Sequence, residues 1–416
     1  MLEDLDVARL QMALSLAFHI VFAAAGIALP ALMAIAEYLW LKGHGDAWKR
    51  LAQGWAKTTA VLFAVGAVSG TVLSFELGLL WPRFMADTGA IIGIPFSLEA
   101  YAFFAEAIFL GVYLYGWERV PRWTHWWAGV AVAVAGALSG AFVVLVNAWM
   151  NAPTLTAQGT LATDAFAALR SPAGPHQVVH MTIAAYLATG VAVAGWHARK
   201  HGDVHRKAFA LGAGMVVVMA PLAVWSGHWS AQEVHDEQPA KFAAMEAHFH
   251  SGPCAPLTLG GWPDEEANRT RWAIEVPCGL SILAANDPDA NVTGLDAYAP
   301  DDRPPVAITH WAFDIMVAAG TWLLALAAWT VWAWRRSGLS DRLRRAWAWS
   351  LPVGFIAIEA GWTVTEVGRQ PWIVHGFMRT EDAVTPVTGL VWPFIAIMVV
   401  YIGLSAMTIW WLRRPE

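Results

Sequence analysis

Several side chains that can bind a metal ion or carry a proton lie inside long apolar stretches of this 416-residue chain. They are two histidines, a methionine and four carboxylates: His19, His180, Met316, Glu99, Glu106, Glu359 and Glu366. An ionisable group inside a membrane is costly and usually has a function. A single buried histidine is more often a hydrogen-bonded packing residue, but several such groups converging in one bundle favour a cofactor site.

Imidazole, thioether and carboxylate groups suit the iron of a haem, and a pair of His and Met ligands raises its potential. Zinc is the weaker alternative, because no cysteine pair and no fully intramembrane histidine pair offers a four-coordinate site. On residue type alone, the sequence favours haem.

Glu99 and Glu106 are seven residues apart, which is two helical turns, so both lie on one face of a helix. Two carboxylates stacked along a helix suit a proton path. The alternative is a pair of bundle-facing groups, hydrogen-bonded to Ser or Tyr neighbours. Glu37 and Glu76 lie nearer the ends of their helices, where we expect them to reach water.

The composition indicates which kind of protein positions these groups. The chain is 57% apolar and 14% charged, whereas a soluble globular protein has about a quarter charged residues. An ordinary water-soluble enzyme and a disordered chain are therefore excluded. The net charge of −6 and the lack of a basic run argue against nucleic acid as a partner.

Nine apolar runs are long enough to cross a bilayer as helices, which requires about 20 residues each. The sequence thus predicts an all-α integral membrane protein, with nine transmembrane helices in a bundle. A polar stretch between helices 6 and 7 is predicted to be a large folded loop outside the membrane. The organisation is 1–228 for helices 1–6, 229–305 for the loop and 306–416 for helices 7–9. The nine runs are 12–40, 56–80, 95–117, 126–149, 178–197, 207–227, 307–334, 346–366 and 388–412.

The distribution of Lys and Arg predicts the orientation of the bundle. By the positive-inside rule, the C-terminus is cytoplasmic, and the N-terminus and the 229–305 loop lie outside. The candidate ligands then share one layer beneath the outer loop, as expected of a cofactor layer; they are His19, His180, Met316, Glu366 and Glu99. The basic residues that set the orientation include Lys42, Lys49, Arg119, Arg122, Arg199, Lys200, Arg335, Arg336, Arg413 and Arg414.

The loop carries two further pairs of interest. A disulfide between Cys254 and Cys278 is our hypothesis, because it would stabilise a loop with little core of its own on the oxidising side of the membrane. The alternative is two unrelated thiols. Lys241 and Glu246 offer an ammonium and a carboxylate that could bind and deprotonate a quinol, although their spacing alone favours a solvated charged face.

Seven ordered stretches carry a resemblance to a known family, and together they extend over nearly the full length of the chain. On these stretches the chain resembles subunit I of the cytochrome bd quinol oxidases. They are Arg9-Leu10-Gln11 leading to His19; Glu99 with Phe103-Phe104-Ala105-Glu106; Asn147-Ala148-Trp149-Met150; Val179-His180; Gln238 to Glu246; Ile315-Met316-Val317; and Gly361-Trp362 leading to Glu366-Val367-Gly368-Arg369-Gln370-Pro371-Trp372.

The resemblance implies three haems as cofactors: a low-spin haem b, a high-spin haem b and a haem d. His180 and Met316 would be the axial ligands of the low-spin haem b. His19 and Glu366 would each bind one iron of the high-spin pair. Glu99 and Glu106 would deliver protons to the oxygen-reducing site. In the loop, Lys241 and Glu246 would contact the quinol.

Three residues of the last motif bear on this assignment. Glu366 is preferred to Glu359 as the ligand because it stands three residues before Arg369, in the family's Gly-Arg-Gln-Pro-Trp signature. Arg369 and Trp362 would also belong to the cofactor-binding region. One departure is Asp314, which stands where family members often carry Arg two residues before the ligating Met. It would alter the potential, require its own partner or stay protonated.

The implied activity is that of the haem-containing subunit of a respiratory terminal oxidase in the bacterial inner membrane. It would oxidise quinol at the outer face and reduce O2 to water with cytoplasmic protons, separating charge without a dedicated pump. The implied partners are the bilayer and a second homologous membrane subunit, subunit II, with a small single-helix subunit as an option. Two alternatives stay open: a haem-binding electron-transfer cytochrome that does not reduce oxygen, and a proton-coupled transporter, although no clear internal repeat of the transporter kind is present.

Overall fold

Long helices dominate the fold, as the apolar runs predict. The computed structural model describes residues 4–156, 158–162, 164–336 and 338–413. A helix bonds its backbone N–H and C=O groups within its own segment, which is what a bilayer demands of a spanning chain. The helices are α1 (Asp4–Leu41), α2 (Asp46–Leu80), α3 (Pro82–Tyr115), α4 (Arg122–Asn151), α5 (Gly174–His197), α6 (Asp203–Glu237), α7 (Pro239–Met245), α8 (Gly279–Ala285), α9 (Val306–Arg336), α10 (Asp341–Ser350), α11 (Val353–Val367), α12 (Thr380–Ala383) and α13 (Val391–Leu412).

Within the described ranges, eight helical segments are long and apolar enough to cross a membrane. They are α1 to α6, the segment Pro300–Arg336 that contains α9, and α13. The predicted all-α membrane architecture is therefore confirmed. The terminal residues 1–3 and 414–416 lie outside the described residues, and with them Arg414 of the orientation argument.

The eighth predicted span, 346–366, is divided in the structure. α10 ends at Ser350 and α11 begins at Val353, with a turn at Leu351 and Pro352 between them. Proline has no N–H to continue a helix, so it favours the start of one. α11 has 15 residues, or about 22 Å at 1.5 Å per residue, against a hydrocarbon core of about 30 Å. A count of nine transmembrane helices stays a prediction.

The polar stretch begins later than predicted, because α6 continues to Glu237. Residues 238–305, called the polar segment below, contain α7, α8 and three antiparallel strand pairs. A disulfide joins Cys254 to Cys278, so the hypothesised pairing is confirmed. The strand pairs are β1 (Gly252–Pro253) with β6 (Asn291–Val292), β2 (Leu257–Leu259) with β5 (Ile274–Val276), and β3 (Trp262–Asp264) with β4 (Arg269–Arg271).

The ends of several helices are hydrogen-bonded to residues 375–390 on the side of the bundle where the polar segment lies. The Leu80 carbonyl at the end of α2 accepts from Thr385 N at 2.8 Å, and the Met150 carbonyl near the end of α4 accepts from His375 N at 3.0 Å. At the start of α1, Asp4 Oδ1 accepts from Leu390 N at 3.1 Å. This end, called the polar-segment end below, also holds a hairpin of β7 (Trp372–Val374) and β8 (Met378–Arg379). The other end is called the opposite end.

α1 lies at the centre of the bundle. It packs against α2, α4, α5, α11 and α13, and its buried positions include small residues such as Ala24, Ala28 and Ala36. Small side chains allow close approach of helices in a membrane, where packing replaces the hydrophobic effect as the force between helices. Residues projecting from α1, including His19, therefore face neighbouring helices on several sides.

Candidate functional site

The two histidines singled out by sequence are held in the same way. His19 Nδ1 on α1 is 2.9 Å from Ser69 Oγ on α2, and His180 Nδ1 on α5 is 2.9 Å from Ser226 Oγ on α6. Each serine hydroxyl donates its own hydrogen to a backbone carbonyl of its helix, Val65 for Ser69 at 3.0 Å and Ala223 for Ser226 at 3.3 Å.

These bonds favour one tautomer of both rings. A hydroxyl has one hydrogen; when the serine donates it to the carbonyl, the serine oxygen accepts from the histidine Nδ1–H. The neutral ring then carries its lone pair on Nε2. Metal-bound histidines are usually oriented in this way by a hydrogen bond from the other ring nitrogen. In this tautomer, Nε2 of His19 and His180 is the ring nitrogen that could bind a metal ion.

Glycines leave room for these rings and for the methionine. A Cβ placed on Gly70 would lie 3.1 Å from His19 Cε1, and one on Gly361 of α11 would lie 3.0 Å from Met316 Sδ. Met316 is on α9, which packs against α6 and α11, and α5 packs against α6 and α11 as well. His180 and Met316 therefore project from helices of one four-helix group.

Glu366 lies near the end of α11 and has a hydrogen bond to each carboxylate oxygen. Asn147 Nδ2 on α4 donates to Oε1, and Arg369 Nη2 donates to Oε2 at 2.6 Å. The two donors fix the direction of the carboxylate. Seven residues earlier on α11, Glu359 has a buried Oε1 without a hydrogen-bond partner among the described residues. Trp362, between them, packs partly buried against a cluster formed by α1, α5 and α11.

The side chains present fit a haem group better than a zinc ion. The described residues contain no cluster of three or more His, Cys, Asp or Glu side chains suited to a bare metal ion. Single or paired ligands suit an iron whose other positions are filled by a porphyrin. Arg369 Nε and Nη1 and Trp149 Nε1 are buried without partners in the described part of the chain. Such donors are suited to the carboxylate groups at the edge of a haem.

Glu99 and Glu106 both face α4, as their spacing predicts. Glu99 Oε1 accepts from Ser139 Oγ at 3.2 Å. Glu106 is buried against Gly136, where an added Cβ would lie 3.3 Å from its carboxyl group. Ser139 and Gly136 are one turn apart, so the two carboxylates line one seam between α3 and α4.

Lys241 and Glu246 are both buried, at opposite ends of α7. Lys241 Nζ donates to Asn151 Oδ1 at 2.5 Å. Burial and the neighbouring charge of Arg369 hold the pKa of Lys241 well below its usual range. Glu246 Oε1 has no partner among the described residues. Burial, assisted by the charge of Asp314, raises the pKa of Glu246 to about 8. The solvated charged face is therefore wrong for these two residues.

Lys241 and Glu246 contact different groups of residues, Lys241 near Arg369 and Glu246 near Asp314. Lys241 lines a small cavity together with Gln238, Arg369, Trp372 and His375, next to the Glu366 group. Burial and the charge of Lys241 lower the pKa of His375 to about 4.

Asp314, the residue that departs from the family pattern, has partners of its own. Its Oδ2 accepts from Gly260 N at 2.8 Å and lies 3.5 Å from His310 Nε2. His310 is fully buried, with Nδ1 2.9 Å from the Met245 carbonyl and Nε2 3.1 Å from the Gly260 carbonyl. Carbonyl oxygens only accept, so a ring N–H is the donor in each of these bonds. Asp314 Oδ2 is a second acceptor within 3.5 Å of Nε2.

All the candidate ligands lie towards the polar-segment end. His19 is in the half of α1 that begins at Asp4, and His180 is in the first turns of α5. Glu366 contacts the last turns of α4 through Asn147. The positions of Glu37 and Glu76 differ from expectation: their exposed fractions are 0% and 3%, so neither reaches water. Glu76 Oε1 instead accepts from Gln11 and Ser15, each at 2.9 Å.

Sequence reasoning missed the residues that orient the site. Ser69, Ser226 and Asn151 carry no signal of their own, because a polar residue on an apolar helix finds its partner only in the packed bundle. Asn147 and Gln238 belong to the stretches that carry the family resemblance, but the sequence alone assigned them no role. Gln238 Nε2 donates to the Asn151 carbonyl and so connects the polar segment to the end of α4.

Comparison with known proteins identifies the family. The model of the family described as cytochrome bd terminal oxidase subunit I matches residues 7–415. A solved structure of the bd oxidase from Geobacillus thermodenitrificans superposes with a TM-score of 0.92 at 34% identity, covering 99% of each chain. Cytochrome bd ubiquinol oxidase subunit 1 of Bacillus subtilis (strain 168) is 31% identical, over 98% of this chain and 92% of its own length. Cytochrome bd-II ubiquinol oxidase subunit 1 of Escherichia coli (strain K12) is 28% identical, over 96% and 93% respectively. This chain therefore belongs to the cytochrome bd terminal oxidase subunit I family.

Proposed function

We propose that the chain is the haem-carrying subunit of a respiratory quinol:oxygen oxidoreductase of a bacterial inner membrane. The observation that carries the proposal is the pair of intramembrane histidines whose Nδ1 atoms are bound by serines, which directs a free Nε2 lone pair into the bundle. Membership of the bd oxidase family and the apolar helices support the same conclusion.

The proposed cofactors are two haems b and one haem d. When bound, they carry electrons from the quinol to oxygen, which is reduced to water. His180 and Met316 would hold the low-spin haem b. His19 and Glu366 would each supply one ligand to the high-spin pair, haem b and haem d. Arg369, whose Nε and Nη1 have no partner among the described residues, would bind a haem carboxylate.

Quinol is oxidised at the polar segment. Glu246 accepts a proton from the quinol hydroxyl, and Asp314, which contacts His310, lies close enough for its charge to act on Glu246. Lys241 helps position the quinol head group from the other end of α7.

Protons for water come from the opposite end along the seam between α3 and α4. Glu106 and Glu99 hold and pass these protons towards the high-spin haem sites. We assign the polar segment and the N-terminus to the outside and the C-terminus to the cytoplasm. Charge is then separated without a dedicated pump, and each elementary charge moved against 100 mV costs about 2.3 kcal/mol.

The family name, with its subunit number, indicates a membrane complex with further subunits. We propose a second homologous membrane subunit, with a small single-helix subunit as an optional component. Exposed apolar side chains on the outer faces of α3 and α13, such as Phe104, Ile108 and Val399, are available to lipid or to these partners.

A reduced-minus-oxidised absorption spectrum of the purified complex, combined with oxygen uptake driven by quinol, tests the proposal. We expect absorbance of haem b and haem d and rapid oxygen uptake. Haem absorbance without oxygen uptake would show an electron-transfer cytochrome instead, and a preparation without haem absorbance would favour a transporter.

The substitution Gly361→Ala is expected to weaken Met316 ligation. The added Cβ lies 3.0 Å from Met316 Sδ, and overpacking of this kind costs about 1–3 kcal/mol. Since 1.4 kcal/mol is a factor of about ten, we expect a substantial part of the low-spin spectrum to become high-spin. Gly320→Ala on α9 is the matched control, because an added Cβ there meets no atom within 4 Å. Equal spectra for both variants would contradict the assignment of Met316.

The rate of quinol oxidation is expected to depend on pH through Glu246. A base must be ionised to accept a proton, and the pKa of Glu246 is raised to about 8. Below that value, kcat/KM for quinol should therefore rise about tenfold per pH unit and then level off. The measurement is oxygen uptake against pH at limiting quinol. In Glu246→Gln this rise should disappear; its persistence would exclude Glu246 as the base.

A further inference from the structure

Three polar side chains are buried together at the opposite end of the bundle, where α1, α3 and α4 meet. The exposed fractions of Glu37, Tyr113 and His125 are 0%, 0% and 2%. Glu37 Oε1 is 2.7 Å from His125 Nδ1, and His125 Nε2 is 2.8 Å from the Tyr113 carbonyl oxygen. Glu37 Oε2 and the Tyr113 hydroxyl have no well-formed hydrogen bond within the described residues.

The hydrogen bonds show that this pair holds one transferable proton. The Tyr113 carbonyl only accepts, so His125 Nε2 is the donor in that bond. Nδ1 then either accepts from a protonated Glu37 or, in the doubly protonated ring, donates to an ionised Glu37. In both arrangements one proton lies between Glu37 and His125, and it can pass from one atom to the other. Its loss would leave two acceptors facing each other at 2.7 Å, a contact that a further proton would again bridge.

The cluster is in line with the proposed proton path. Tyr113 follows Glu106 by seven residues on α3, as Glu106 follows Glu99, so each step is two turns or about 10 Å. On α4, Gly129 leaves room for the Tyr113 ring, because a Cβ added there would lie 2.6 Å from it. Gly136 leaves room for the Glu106 carboxyl group in the same way, at 3.3 Å. The seam between α3 and α4 thus presents Glu99, Glu106 and the Glu37–His125 pair in succession.

Only a short turn separates the cluster from solvent at the opposite end. The turn 116–121 joins α3 to α4, and a Cβ on Gly116 would lie 3.3 Å from His125 Cδ2. Glu118 and Arg119 in this turn are exposed. His125 is therefore the member of the cluster that lies beside this exposed turn.

We propose that Glu37 and His125 form the proton-loading site of the path through Glu106 and Glu99. The shared proton leaves for Glu106, through bridging groups because the interval is longer than one hydrogen bond. A second proton from the aqueous phase then restores the pair. This inference rests on the proposed role of Glu106 and Glu99 and assigns the uptake of protons to residues that have no part in binding haem or quinol.

The variant Glu37→Gln separates this role from a structural one. Neutral His125, with Nε2 as donor, has a lone pair on Nδ1 that can accept from the glutamine amide. The hydrogen bond between α1 and α4 is kept, but the transferable proton is lost. Glu37→Asp keeps a titratable carboxyl group and should restore part of the rate. Glu118→Gln is the matched control, since it makes the same change on the exposed turn beside the cluster.

The experiment uses the whole complex in vesicles, reduced in advance and mixed with oxygen. A pH-sensitive dye follows proton uptake, and absorbance follows oxygen reduction. In Glu37→Gln we expect proton uptake to slow by about 10²-fold, the lower end of what a positioned proton-transfer group contributes. Haem content and reduction by dithionite should match the parent complex and Glu118→Gln. Should Glu37→Gln fail to assemble, His125→Gln is measured in its place with the same expectation.

The variant Glu106→Gln makes the two levels of the proposal distinguishable. If it slows proton uptake and Glu37→Gln does not, the loading site is wrong and the path through Glu106 stands. If neither variant slows uptake, the path itself is wrong. If both slow it, the double variant should be no slower than the slower single variant, as expected of two groups in series; additive losses would overturn the serial arrangement.

Discussion

Replacing His180 with alanine is expected to remove the low-spin haem signal and to abolish most quinol-driven oxygen uptake. In the proposed site, His180 Nε2 would be the ligand that the Ser226 hydrogen bond orients, and alanine offers no atom that can replace it. Electrons from the quinol would then lack their first acceptor, while His19 and Glu366 would still hold the high-spin sites. The measurements are the reduced-minus-oxidised spectrum, oxygen uptake with quinol, and binding of oxygen to the chemically reduced complex.

Two further variants sharpen this prediction. His197→Ala lies on the same helix, α5, but at its other end, where Nδ1 pairs with His205 Nδ1 at 2.8 Å, and it should leave the spectrum unchanged. Ser226→Ala removes only the acceptor for Nδ1. Loss of such an orienting partner typically costs about 10- to 100-fold in metal affinity, so an intermediate loss of haem is expected. A normal low-spin spectrum in His180→Ala would refute the ligand assignment.

The variant Glu246→Ala is expected to slow quinol oxidation by about 10²-fold or more, because it removes the proposed acceptor of the quinol proton. Reduction of the haems by dithionite should be unchanged, since that reagent bypasses the polar segment. Oxygen uptake with quinol and the rate of chemical reduction are measured on the same preparation.

The polar segment provides a matched control for this change. Glu275 on β5 is an exposed glutamate of the same segment, so Glu275→Ala tests for a general effect of removing a carboxylate. It should retain parental quinol turnover. Unchanged turnover in Glu246→Ala would remove that residue from the mechanism, whereas equal losses in both variants would point to a general disturbance of the segment.

The sequence predicts the helical membrane class well because that signal is local. A long apolar run has few alternatives to a helix in lipid, and an ionisable residue within one is conspicuous. For that reason His19, His180, Glu99 and Glu106 could be selected without coordinates. The seven-residue spacing of the two glutamates also predicts their common face, which the contacts with Ser139 and Gly136 bear out.

Burial at helix ends could not be predicted in the same way. Glu37 lies four residues before the end of α1 and was expected to reach water. In the structure it is buried against His125 of α4, which is 88 residues further along the chain. Such a contact depends on which helices pack together, and the apolar pattern of a single helix does not contain that information.

The divided span 346–366 shows a second limit of prediction from sequence, which concerns where one helix ends and the next begins. A hydropathy window averages over about 20 residues, so an apolar stretch counts as one helix even when it contains a turn. Pro352 was the signal available, because proline disfavours continuation of a helix. Pro30 is also inside an apolar run, 12–40, yet α1 continues through it. Proline alone therefore does not decide where a membrane helix ends.

The covalent link between Cys254 and Cys278 closes a loop across a sequence separation of 24 residues, which in the chain-entropy description stabilises the folded form by roughly 3.5 kcal/mol. The enclosed strands position Gly260, whose amide anchors Asp314 beside Glu246. With the polar segment outside and binding quinol, as we propose, assembly of this subunit would depend on the thiol chemistry of the cell envelope. Cells that cannot oxidise exported thiols would then produce a subunit whose proposed quinol site is poorly ordered, even with every proposed haem ligand intact.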